Sequence, residues 1–201
     1  MGSVRVRSAE PADRDALYEV CLLTGDGGRD GTPLYPDGSL LGEVFVGPYL
    51  ALCPDFALVA DDGTGAAGYA LGALQTDQFE QACERSWWPE VRARHPVDPA
   101  ATGDHAELLE LLHRPGALRH PSFPEYPSHL HIDLLEHIRG GGVGRQMLER
   151  LFGLLTEAGS PGVHLGVDLR NIGAQRFYRR LGFVDLQTTD DGVLYQGMPL
   201  R

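Results

Sequence analysis

The chain contains no lysine, and all 17 of its basic residues are arginine. Set against 28 acidic residues, this leaves a formal net charge of −11. That balance excludes the broad basic surface on which nucleic-acid binding depends, and it favours a cationic or amine-bearing partner. The missing lysine itself reads as the mark of a GC-rich coding sequence. Cysteine is scarce as well. Cys21, Cys53 and Cys83 are odd in number and lack the paired spacing of zinc or redox chemistry, so they read as buried or half-buried packing residues, not a disulfide framework. No apolar run approaches the roughly 18 residues of a membrane span. The start, Met1-Gly2-Ser3-Val4-Arg5, lacks the apolar stretch of a secretory signal. The expectation is a cytoplasmic protein without membrane contact. The eight histidines are scattered, mostly in loops, and no metal site is expected from them.

With 42 % apolar residues, a core for one domain spanning residues 1–201 is available. Val4 to Arg7 alternates like a half-buried strand, and Glu10-Pro11 opens a helix that ends at Thr24-Gly25. Asp26 to Gly38 is loop, with Gly25, Gly27, Gly28 and Gly31 serving turns. Leu40 to Tyr49 reads as a short helix stopped near Pro48. Phe56 to Ala60 and Ala67 to Leu74 flank an Asp-Gly turn and form a hairpin. Between Thr76 and Pro127, helix-sized pieces near Asp77–Arg85, Pro89–Arg94 and Asp104–His113 are broken up by seven prolines, and the stretch reads as an insertion. Strand character returns at His129–Leu135. A helix follows from Gly142 to Ala158, then a strand at Val163 to Val167, a helix at Asn171 to Leu181, and a final pair at Phe183–Leu186 and Val193–Gly197. The economical arrangement is a mixed sheet with helices on both faces.

Chemistry concentrates in the second half. The strand opens into Arg139-Gly140-Gly141-Gly142-Val143-Gly144, with a helix from Arg145. Strand, glycine turn and helix start are what a chain needs to hold a diphosphate, because glycine lets the backbone approach and the first helical amides are free donors. A glycine turn alone is equally a connector. A second motif follows, Asn171-Ile172-Gly173-Ala174-Gln175-Arg176-Phe177-Tyr178-Arg179-Arg180-Leu181-Gly182-Phe183. It is a helix capped by Asn171 and ended by Gly182, with Ala174, Phe177 and Leu181 on one face.

In order and separation the two motifs resemble the GNAT superfamily of acyl-CoA-dependent N-acyltransferases. Arg139, Gly142 and Gly144 meet its Gln/Arg-x-x-Gly-x-Gly/Ala signature, and Asn171 through Phe183 meets its Asn-x-x-Ala-x-x-Phe-Tyr-x-x-Leu-Gly-Phe signature. Tyr126-Pro127 before Leu130–Leu135, with Trp87-Trp88-Pro89, more narrowly resembles bacterial relatives of the acetyltransferase-like domain attached to O-GlcNAcase. The resemblance implies a mixed α+β (α/β) fold: a splayed six- to seven-stranded sheet flanked by helices, with the insertion before the fourth strand covering the acceptor cleft. It also implies acetyl-CoA as cofactor. Backbone groups of Leu134, Leu135 and Glu136 would bond the pantetheine arm, and the amides of Arg139, Gly140, Gly141, Gly142, Val143, Gly144 and Arg145 would cradle the diphosphate. Ile138 should mainly pack, and Asn171 would cap its helix and touch the cofactor or a water.

Tyr178 occupies the family's usual general-acid position, near the thioester sulfur. The base is not carried over by motif. Period-two alternation puts Leu130, Ile132 and Leu134 on the core face, with His129, His131 and Asp133 on the other, toward the acceptor side. Asp133 would take a proton through water or hold a histidine such as His131 as the base; a structural Asp–His pair is the alternative. Asp168 reads as a surface or capping carboxylate. Asp26, Asp30, Tyr35, Tyr49, Trp87 and Trp88 are candidates to line a pocket for an amine with an apolar body, or are ordinary loop and packing residues. The expected activity is acetyl transfer to a small-molecule or peptide amine by a monomer or homodimer; the alternative is an acyl-CoA-binding module without transfer. A Rossmann-type enzyme is disfavoured, because the glycine turn lies far from the first strand.

Overall fold

Pattern and turn chemistry lay the chain out as seven strands and eight helices in a computed structural model, which describes residues 4–200. Strand β1 (Arg5–Ser8) passes through a 3-10 turn into α1 (Arg14–Leu23). Arg7 locks this entry, donating to both oxygens of Asp13 at 2.7 Å and to Asp61 at 3.0 Å. Helices α2 (Gly38–Phe45) and α3 (Gly47–Leu52) follow, where one helix stopped by Pro48 was expected. Pro48 instead starts α3: in a first helical turn its missing N–H costs nothing, and its fixed φ suits the helix.

The hairpin is β2 (Ala57–Asp61) and β3 (Ala66–Ala73). In the insertion, α4 (Thr76–Ala82) continues through a π turn at Cys83–Trp87 into α5 (Trp88–Arg94), with Pro89 again in a first turn, and α6 (Gly103–His113) completes it. Then come β4 (Ser128–Leu134), α7 (Val143–Glu157), β5 (Gly162–Asp168), α8 (Ile172–Leu181), β6 (Val184–Thr188) and β7 (Val193–Pro199).

The seven strands form one sheet in the order β1-β2-β3-β4-β5-β7-β6, antiparallel except at β4–β5. One face carries the helices from α1 to α6 over a core that includes Leu17, Leu40, Tyr49, Tyr69 and Leu71. The other carries α7 and α8 over Leu58, Leu130, Met147, Leu151 and Phe183. The insertion is integral to the first core: Phe79, Cys83, Trp88, Val91, Leu108 and Leu112 are all buried there. Its ends are joined where Thr76 N–H donates to Pro127 O at 2.8 Å. Buried Glu43 of α2 holds it from the side, accepting from Arg94 Nε at 3.1 Å, while Trp87 Nε1 donates to the Glu43 carbonyl at 2.8 Å.

Gly182 ends α8 at φ +106°, a left-handed conformation, and an added Cβ would lie 3.5 Å from Met198 Sδ, an ordinary contact. The strain of Gly182→Ala is therefore conformational alone. The expected loss is about 1 kcal/mol, read from urea unfolding; an unchanged midpoint would contradict the need for this conformation.

Candidate functional site: a groove between two parting strands

Strands β4 and β5 pair over two positions only, Ser128 with Val163 and His129 with His164, and then part. Leu135 N–H donates to Ala67 O on β3 at 2.9 Å. By the alternation of a strand, the main-chain groups of Asp133 and His131 also turn to β3, and those of Leu134 and Ile132 face the gap. Side chains alternate too: Leu130, Ile132 and Leu134 lie against the α7–α8 core, leaving His129, His131 and Asp133 on the face covered by α1–α6.

At the mouth of the gap, a 3-10 turn at Glu136–Ile138 leads into the glycine turn, with Ile138 buried. Gly140 and Gly142 have φ of +80° and +84°, and a Cβ added at Gly140, Gly141 or Gly142 would meet nothing within 4 Å. Helix α7 begins at this open surface with no side-chain cap. The first amides, of Val143, Gly144 and Arg145, have no partner within the helix, and the positive end of its dipole points outward. Gly144 has a different reason to be glycine, since its Cβ would press on Leu134 and Phe177 at 3.3 and 3.4 Å. Arg145 turns to Glu149, at 2.7 Å. Asn171 caps α8 by accepting from Ala174 N–H at 3.1 Å.

The Arg139 side chain was not anticipated. Its Nε donates to Leu134 O at 2.7 Å, and its Nη2 donates to Gly28 O at 2.9 Å. The carbonyl expected to meet pantetheine is thus engaged by a guanidinium. The turn at residues 26–31 also approaches the far side of the gap, where Arg170 Nη2 lies 3.7 Å from Asp26 Oδ1 and a Cβ on Gly28 would sit 3.2 Å from Asn171 Nδ2.

On the other face of β4, Asp133 accepts from Tyr69 Oη at 2.6 Å and is not bonded to a histidine. Burial pushes its carboxyl up to about 6, against the opposing pull of that hydrogen bond. Burial pushes the His131 imidazole down to about 3. His129 is fully buried between Tyr49 Oη at 2.7 Å and Thr76 Oγ1 at 2.9 Å. Thr76 spends its proton on Pro127 O, so His129 Nδ1–H is the donor to it and Nε2 accepts from Tyr49. Burial holds His129 well below the usual imidazole range, in the neutral form. Tyr178 is buried in the α7–α8 core; burial and the nearby Asp133 charge raise its phenol, which stays protonated.

A narrow pocket of about 30 Å³ opens beside His131, walled by Phe45 and Tyr49 and, from the insertion, by Phe79, Glu80, Leu118 and His120. Trp88 also reaches it. The other nominated pocket residues lie elsewhere: Asp26 pairs with Arg29 at 2.7 Å, Asp30 caps Thr32 N–H at 2.8 Å, Tyr35 packs on the core, and Trp87 serves Glu43. Asp168 is tied to Arg170 at 2.6 Å, as a surface carboxylate. Glu80 and His120, in contact at 2.7 Å, escaped notice because 40 residues of proline-broken chain separate them.

The profile of the Acetyltransferase (GNAT) family matches residues 44–183. The crystal structure of SsHAT superposes with a TM-score of 0.91 at 38% identity, covering 99% of each chain. Protein O-GlcNAcase of Rattus norvegicus is 26% identical over 184 residues, 90% of this chain, while the chain spans only 20% of that relative's length. More distantly, yncA from Salmonella typhimurium, solved with its cofactor acetyl-CoA, shares the fold at 15% identity, with a TM-score of 0.58 over 100% of this chain and 95% of that one.

The titrations along β4 and β5 carry opposite signs. His131, depressed to about 3, with His164 depressed to about 4 and His129 lower than usual, binds its proton less readily folded than unfolded. The stability this contributes is present above about pH 6.5 and is lost as pH falls toward those values. Asp133, raised to about 6, works the other way: its contribution is present below about pH 4 and is lost as pH rises through 6. The three imidazoles outnumber the one carboxyl, so the thermal midpoint should fall from pH 6.5 to 4. His131→Gln should make that loss shallower by up to about 1.4 kcal/mol per pH unit, and Asp133→Asn should make it steeper. Identical slopes in all three proteins would rule out burial of these groups in the stated forms.

Proposed function

We propose that this chain, which belongs to the GNAT family of acetyltransferases, transfers an acetyl group from acetyl-CoA to the primary amine of a small molecule or peptide. The observation that carries the reading is the bared edge of β4 running directly into an open glycine turn at an uncapped helix start. Such a groove suits an extended amide-bearing arm that ends in a diphosphate. The amides from Gly140 to Arg145, with Arg139 at the entrance, would hold the diphosphate. Main-chain groups at Leu134 and Glu136, together with the gap-facing Ile132, would bond the arm once Arg139 releases the Leu134 carbonyl; Leu135, also expected there, has given its N–H to Ala67 O and its carbonyl to Ile138 N–H. Asn171 would border the arm from the α8 side.

Acetyl-CoA supplies an activated acyl thioester; the rest falls to side chains of this protein. Tyr178, held protonated by burial, donates a hydrogen bond, then its proton, to a developing thiolate. Asp133 and His131 stand on the opposite face of β4, toward the acceptor. Neutral His131 offers an imidazole at the pocket, and Asp133 presents a carboxyl oriented by Tyr69. We take residues 1–201 as one domain and the stretch 76–127 as the cover of the acceptor cleft, since Phe79, Glu80, Trp88, Leu118 and His120 wall the pocket. At about 30 Å³ the pocket has room for little more than an amino group, and its aromatic walls would flank the apolar body of an amine at the mouth.

The Arg139 bridge from Leu134 to Gly28 favours a second reading, a module that binds acyl-CoA without transferring it. Calorimetry and turnover separate the two. Wild type should bind coenzyme A with measurable heat, and Gly141→Val should weaken that binding by about tenfold or more by filling the cradle, with stability unchanged. Tyr178→Phe should lower turnover by at least about tenfold with coenzyme A affinity near normal. No heat with the wild type would remove both readings; full turnover by Tyr178→Phe would remove the role of the phenol. Leu118→Trp should fill the pocket and raise acceptor KM by about tenfold, as the loss of an apolar subsite does, leaving coenzyme A binding intact. Equal damage to both would count against the insertion as acceptor cover.

A further inference from the structure

We propose that His120 is the general base that takes the proton from the acceptor amine, with Glu80 as its positioning residue. The inference rests on the transferase reading above and adds to it the residue that prepares the nucleophile.

Its placement is the first argument. The gap between β4 and β5 opens just past the His129–His164 pair. The His120 ring lies over that apex: it stacks on His129 with centroids 4.3 Å apart, and is 5.6 Å from His131 and 6.4 Å from His164. It also walls the acceptor pocket. A proton acceptor at the meeting point of groove and pocket stands where the amine must approach the acyl carbon.

The second argument is its tautomer. Buried Glu80 accepts from His120 Nδ1–H at 2.7 Å and from the His120 backbone N–H at 3.2 Å. A carboxylate only accepts, so Nδ1 carries the proton and the lone pair is on Nε2. The two bonds fix the ring and its main chain together, and the carboxylate stabilises the imidazolium that forms when Nε2 is protonated.

The neighbouring groups are not arranged for this work. His129 of β4 has both ring nitrogens engaged, with Tyr49 of α3 and Thr76 of α4. His164 of β5 donates through Nδ1 to Tyr126 O at 2.7 Å and keeps a buried Nε2 without a partner, but no carboxylate stands by to support a positive charge, and burial holds its imidazole down to about 4. Tyr195 of β7 packs beside it. His131 has no carboxylate to support a positive charge, and its depressed basicity makes it a poor proton acceptor near neutrality. Asp133 is committed to Tyr69. Of these four imidazoles, His120 alone touches a carboxylate among the described residues.

The step balances as follows. The ammonium form of the acceptor gives one proton to His120 Nε2, which passes it to solvent. The freed nitrogen lone pair forms the C–N bond to the acetyl carbon, and the C–S bond breaks toward sulfur. The thiolate takes a proton from Tyr178, which regains one from the nitrogen now bonded to the acetyl group. The products are the amide, coenzyme A thiol and one proton.

The test is the pH dependence of kcat from pH 5.5 to 9.5, with 2-phenylethylamine and a short lysine peptide as acceptors. Wild type should show an acid limb that levels off. His120→Gln should lower kcat near pH 7 by about 100-fold and replace the plateau with a rate that keeps rising with hydroxide. His120→Ala should regain part of the rate with added imidazole, a response that a purely structural residue does not give. Glu80→Gln should shift the acid limb to lower pH, and coenzyme A affinity by calorimetry should stay within about twofold in all three, as expected for a group that acts on the acceptor alone. A His120→Gln profile that superposes on the wild type would overturn this inference and leave the transferase reading standing. Failure of the wild type to acetylate either amine, with coenzyme A still bound, would overturn both.

Discussion

The two-residue limit on β4–β5 pairing governs the rest of the structure. A sheet normally satisfies every interior edge, and buried main-chain groups left without partners are costly. Here Ile132 and Leu134 present theirs to a gap, and part of that demand is already met by the Arg139 guanidinium on the Leu134 carbonyl. The arrangement persists because the sheet is held elsewhere: β3 pairs with β4 along nearly its whole length, and β5 pairs with β7 over seven positions. The gap is a local break in a sheet that is otherwise closed, and it ends at a helix whose first amides lack partners.

Histidine serves this fold in two chemically distinct ways. His129 and His164 act as neutral polar packing: His129 joins α3 to α4 through both ring nitrogens, and His164 holds the segment before β4 through Nδ1. Burial keeps them uncharged, so they hold these three elements at the apex of the gap without bringing charge into it. His120 differs by a single neighbour, the Glu80 carboxylate, and that contact gives the same side chain at the same apex another chemistry. The distinction lies in the partner, which is supplied by tertiary packing.

The insertion builds the cover over one face of β4. Proline suggested interruption, yet Pro89 lies in the first turn of α5, where it is compatible with helix, and the π turn carries α4 into α5 without a break. With Phe79, Trp88 and Val91 in the first core and Glu43 gripping Arg94 and His95, the helices of the stretch are anchored to the domain. It brings aromatic walls and the Glu80–His120 pair to the face of β4 that the sheet alone would leave bare.

The sequence by itself determined the elements around the groove. Strand, glycine turn, the Asn171 cap and the Gly182 stop are local signals, each written within a few residues and read from backbone chemistry. The alternation of β4 was equally legible, because a period of two requires no knowledge of neighbours. Its reading of Pro48 as a stop failed, since proline is tolerated at a helix start as readily as it ends one. Only the tertiary structure decided which side chains meet: Arg139 crossing to Leu134 and Gly28, Asp133 turned to Tyr69, and Glu80 meeting His120. Such contacts join residues far apart in the chain through the packing of whole elements, and no short-range pattern records them.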